Sequence, residues 1–154
     1  MNLKKDKYII LEIIPTAIHP SKGDIVQISA IKLNGLNLLD RFDYRLKEEQ
    51  IYLEEFKKLI SYDKDSFIYL DSSKELLDTF KSWSDNLPLL IIDNRYTNNF
   101  LNDLPNKKEP ITKYLEMEYD EYNDDLIDRL IDKYDIEPTN YIVDILYESL
   151  IKHL

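Results

Sequence analysis

Residues 7–35 read KYIILEIIPTAIHPSKGDIVQISAIKLNG, and two apolar runs within them decide the architecture. Tyr8–Ile14 and Ile25–Leu33 are rich in β-branched residues and too short for a typical globular helix, so each reads as a strand. The polar segment between them carries Pro15, Pro20 and Gly23, turn residues that predict an antiparallel pair. Glu12 stands among Ile9, Ile10, Leu11, Ile13 and Ile14. A carboxylate in a buried strand is costly unless a cation or hydrogen bonds compensate it. Two readings are open: Glu12 points to the solvent face of a half-covered sheet, or it belongs to a site.

Downstream, Leu36–Leu46 reads as a third strand. There Phe42, Tyr44 and Leu46 alternate with Asp43 and Arg45, the period of a half-exposed edge. Lys47–Lys64 is charged, with Ile51, Phe56, Leu59 and Ile60 at roughly helical spacing. Ser72 with Glu75 three residues on is a capping box, and Leu76, Leu77, Phe80 and Trp83 then share one helical face. Leu87–Ile92 is a continuous apolar run, as in a strand buried on both faces. Asp93-Asn94-Arg95 ends it, and Tyr96–Leu104 reads as a helix turning Phe100, Leu101 and Leu104 inward. Pro105–Pro110 reads as a surface connection.

Glu116–Glu137 is strongly acidic, with only Arg129 and Lys133 opposing the carboxylates. It reads as a solvated amphipathic helix built on Leu126, Ile127, Leu130 and Ile131. The alternative is an acidic face that docks a basic partner or repels nucleic acid. Asn140–Leu154 closes the chain as a helix that is apolar through Ile142, Leu146, Leu150 and Leu154.

Composition narrows the classes. The 154 residues suit one domain, and 44% hydrophobic with 32% charged residues fits a globular chain. There is no cysteine, so thiolate metal sites are excluded and a reducing, cytoplasmic location is expected. No apolar run reaches the roughly 20 residues of a membrane span. Only two glycines occur, which rules out a glycine-rich phosphate loop. The net charge of −10 and pI near 4.7 disfavour tight, unspecific nucleic-acid binding through phosphates.

The opening stretch resembles the first motif of the DEDD, or DnaQ-like, 3'-5' exonuclease superfamily, whose first strand carries Asp-x-Glu-Thr-Thr-Gly. Leu11-Glu12-Ile13-Ile14-Pro15-Thr16-Ala17 occupies the motif, His19–Asp24 fills the loop, and Ile25–Lys32 matches the second strand. The resemblance implies a ribonuclease H-like α/β fold, with three antiparallel strands, then parallel ones, and helices on both sides of a mixed sheet. It also implies two Mg²⁺ or Mn²⁺ ions held by four carboxylates, the arrangement that hydrolyses phosphodiesters.

Against that pattern Glu12 stands for the family's aspartate and Ile14 for its glutamate. In the second motif Asn94 matches the asparagine, and the catalytic aspartate falls on Thr97, or on Asn98 without a one-residue deletion. In the third motif Asp144 keeps the last metal ligand, while Thr139 replaces the histidine that serves as general base. The histidines present are His19 and His153. Glu12 and Asp144 are therefore expected to hold a single divalent ion weakly at most.

The expectation is an inactive exonuclease-like domain acting as a binding or regulatory module, needing no cofactor and engaging a protein partner. One alternative is a working nuclease whose metal site is rearranged around Asp93, Asp24 or Glu148 and uses Mg²⁺ or Mn²⁺. The other is an acidic protein that mimics nucleic acid in a partner's basic groove.

Overall fold

β1 (Lys7–Pro15) lies inside a six-stranded sheet, bonded on one side to β2 (Ile25–Asn34) and on the other to β5 (Leu89–Ile91). The computed structural model describes residues 1–47, 67–122, 125–138 and 142–154. The sheet continues outward through β3 (Asn37–Leu46) to β4 (Ile68–Leu70) on the β2 side, and through β5 to β6 (Lys108–Pro110). β1, β2 and β3 are antiparallel, whereas β4, β5 and β6 each join their neighbour in parallel. This is the expected α/β mixed sheet.

The hairpin between β2 and β3 is short because Asn34 already pairs with Asn37. Gly35 takes φ 61° there, and a Cβ on it would sit 2.6 Å from the Lys4 carbonyl oxygen. A side chain fits neither the backbone nor the space.

Alternation along the strands builds two cores. On one face Ile9, Leu11, Ile28, Ala30 and Phe42 pack with Leu76 and Phe80 of α1 (Ser73–Ser84) and with Phe100 and Leu101 of α2 (Arg95–Leu101). On the other, Tyr8, Ile10, Ile31 and Leu33 pack with α3 (Ile111–Tyr114), α4 (Leu126–Tyr134) and α5 (Ile142–His153). α1 starts as its sequence predicts, the Glu75 N–H donating to Ser72 Oγ at 3.1 Å.

Several expectations need correction. Of the two readings left open for Glu12, the solvent-facing one falls: the residue is 7% exposed, because helices cover both faces of the sheet around β1. The far end of β3 is not a half-exposed edge, since Tyr44–Leu46 pair with β4 and Arg45 is buried. Lys108–Pro110 is a strand rather than a surface connection. It lies at the sheet's edge, where a proline without an N–H is tolerated. The acidic helix covers only Leu126–Tyr134, stopped by Asp135 in the left-handed region at φ 51°. In α5 the buried residues are Val143, Ile145, Leu146, Ser149 and Leu150, while Leu154 is exposed. Apart from Lys47, the stretch Lys47–Lys64 lies outside the described residues, as does Thr139.

Candidate functional site

The second face of the sheet changes character along its length. Near the start of β1 it is apolar, with Tyr8 and Ile10 against Leu33 and Ile31. Further along, the pairing registers line up Glu12, Ser29 and Asp43 on one rung and Ile14, Gln27 and Arg45 on the next. Residues directly opposite share a face, so polar side chains from three strands meet there. Arg41 sits two residues before Asp43 on the same face, and its strand partner is Ile31.

Above these rungs comes the first turn of α5, which carries Asp144. Arg41 Nη1 donates to Asp144 Oδ1 at 2.6 Å and Nη2 to Oδ2 at 3.3 Å. The Arg41 Nε–H donates to Asp43 Oδ2 at 3.1 Å. One guanidinium therefore binds two carboxylates, with the end-on pair in the two-point geometry that suits arginine. Burial works against the charge on Arg41, but the hydrogen bond and charge of Asp144, with those of Asp43, outweigh it and raise its pKa.

α2 supplies the other wall. Asn94 caps it, accepting the Thr97 N–H at 2.9 Å on Oδ1, and Thr97 is buried in its first turn. The Tyr96 hydroxyl is held protonated to unusually high pH, first by burial and then by the Glu12 charge, with a hydrogen bond to Asn94 acting the other way. Tyr96 is thus electrostatically coupled to Glu12. Asn98 points outward and donates to Asp93 Oδ1 at 2.7 Å.

The remaining candidates are engaged elsewhere. Asp24 is exposed in the β1–β2 loop, its N–H on Thr16 Oγ1 at 3.0 Å. Glu148 pairs with Lys152 at 3.4 Å. His19 Nδ1 lies 3.0 Å from Asn99 Nδ2, and His153 Nδ1 lies 2.8 Å from the Tyr134 hydroxyl, in the last turn of α5.

These residues do not fit a two-cation centre. Hard divalent ions need several oxygen ligands. Here Ile14 is apolar and buried, and both oxygens of Asp144 are committed to Arg41. Glu12 and Asp43 are separated by β2, two strand spacings or about 10 Å. Among the described residues no three acidic, histidine or cysteine side chains form a group able to hold a metal ion. Sequence reasoning missed Arg41, Asp43 and Tyr96. The available signal was the period-two polar set Arg41, Asp43 and Arg45 facing Gln27 and Ser29.

The mixed sheet, its strand order and the helices on both faces define an exonuclease-like, ribonuclease H-like fold. Among solved structures, E. coli exonuclease I in a zinc-bound complex with single-stranded DNA is similar to it, with a TM-score of 0.59 and 10% identity over 96% of this chain and 39% of that one. A product-bound exonuclease I gives 0.58 and 12% over 96% and 42%, and the apo form 0.54 and 12% over the same shares. The chain thus spans about two fifths of the length of exonuclease I. By sequence, no family model and no curated protein matches. Among the described residues no helix is long and apolar enough to cross a membrane.

Proposed function

We propose that this chain is an exonuclease-like domain that has lost two-metal phosphodiester hydrolysis and serves as a protein-binding or regulatory module in nucleic-acid metabolism. The observation that carries this reading is the Arg41–Asp144 fork. The acidic residue matching the family's last metal ligand is neutralised by an arginine of the same chain. A divalent ion would have to displace that guanidinium and would then meet Ile14 and Thr97 where further carboxylates are required. Glu12 and Asp144 could hold one ion weakly at most, so the domain works without a cofactor. The link to nucleic acid rests on the fold, which is similar to exonuclease I in complex with single-stranded DNA.

The test is incubation of the purified protein with labelled single-stranded DNA or RNA and Mn²⁺. The expected result is no shortening of the label. Hydrolysis that disappears in both Glu12→Ala and Asp144→Ala would overturn the reading.

A further inference from the structure

We propose that Arg41 is a resident cation: its guanidinium does part of the structural work that a bound divalent ion does at such a site, offsetting one of the two negative charges of Asp43 and Asp144, bridging the pair and pinning α5 to β3. This rests on the reading of the domain as having lost its metal pair, and it assigns the role to one residue. Three observations carry it. The guanidinium contacts both carboxylates, Asp43 through Nε at 3.1 Å and Asp144 through Nη1 at 2.6 Å. The three groups come from two distant parts of the chain and link the sheet to its closing helix. Arg41 and Asp144 remain about one-third exposed, at 34% and 37%, so once the arginine was gone a solvated ion could reach Asp144 directly and the more buried Asp43, at 13%, through the space the guanidinium leaves.

A tethered cation differs from a dissolved one in a measurable way. It cannot be removed by a chelator, and it adds no linkage between stability and metal concentration. Two carboxylates held close enough to share one guanidinium can also share one hydrated divalent ion, which commonly uses one or two carboxylates and keeps its waters. Removing Arg41 should therefore uncover a metal dependence that the natural protein lacks.

The experiment compares thermal unfolding of the full chain, of Arg41→Gln, and of Arg41→Gln combined with Asp43→Asn, each in EDTA and across a MnCl₂ titration. Calorimetric Mn²⁺ titration runs in parallel. The natural protein should unfold at the same temperature throughout. Arg41→Gln should unfold lower in EDTA and rise by about 3 °C or more at ten times the dissociation constant, then continue upward with the logarithm of the Mn²⁺ concentration. Adding Asp43→Asn should abolish that rise. If Arg41→Gln folds only when refolded with Mn²⁺, the proposal stands. If it fails to fold with Mn²⁺, shows no Mn²⁺ response, or keeps its response without Asp43, the proposal falls. An inactive natural protein with an unresponsive Arg41→Gln sinks only this inference. An active natural protein with a responsive variant sinks only the functional reading.

Discussion

Asp144, in the first turn of α5, accepts two hydrogen bonds from Arg41 of β3, at 2.6 and 3.3 Å, across a sequence separation of 103 residues. This contact joins the last helix to the third strand. Because both partners are about one-third exposed, screening reduces its worth to about 1 kcal/mol, or somewhat more for the two-point geometry. A double-mutant cycle of Arg41→Ala and Asp144→Ala in urea should give a coupling of that size. It should shrink as salt is raised. Strict additivity would show that the fork contributes nothing to docking α5.

The turn between β2 and β3 depends on a backbone that side chains avoid. Gly35→Ala should cost about 1–2 kcal/mol from conformation alone. The new methyl would also crowd the Lys4 carbonyl, which lies 2.6 Å from its ideal position. Chemical denaturation of the variant would measure this. An unchanged midpoint would mean that the hairpin relaxes freely.

Phe80 is the fully buried centre of the first core, edge-on to Phe42 with ring centroids 5.4 Å apart. Phe80→Ala should lose about 3–5 kcal/mol, enough to threaten folding of a domain this size. Phe80→Leu should retain most of the stability, which separates loss of packing from any other role. The readout is again the unfolding midpoint.

Glu109, on the edge strand β6, accepts the Tyr114 hydroxyl at 2.7 Å and Lys113 Nζ at 3.2 Å. The tyrosine hydrogen bond, then the lysines, hold its carboxyl below the usual range despite burial. A depressed pKa means the unfolded chain takes up a proton first, so this stabilisation is present above the ordinary value and is lost as pH falls through the folded one. Tyr114 is pushed up to about 12 by burial and by Glu109. Its contribution is therefore present below 10 and is lost as pH rises from about 10 towards 12. Melting temperature against pH should show both limbs. Glu109→Gln should flatten the acid limb and Tyr114→Phe the alkaline one.

Helix α2 starts on Asn94, whose side chain takes the Thr97 N–H. Asn94→Ala should cost about 1 kcal/mol of stability, whereas Asn94→Ser, a neutral side chain that can still accept the Thr97 N–H, should lose less. Equal losses in both would show that the cap is not what Asn94 contributes.

The sequence alone determined the three-stranded meander, a buried strand within Leu87–Ile92 and the cores of α1, α2 and α5, though not α3 or the extent of α4. Apolar alternation, capping residues and turn residues act over a few neighbours and are written in order along the chain. It also determined that Ile14, Thr97 and Asn98 carry no carboxylate, since their identities can be read directly. Only the tertiary structure decided that Glu12 is buried, that Asp43 and Arg45 turn inward, and that Asp144 belongs to Arg41. Those outcomes depend on which distant surface covers each face of the sheet. A charged residue in an alternating strand looks the same in sequence whether water or another chain segment lies above it, and the cost of burying it is met by a partner whose position the local pattern does not specify.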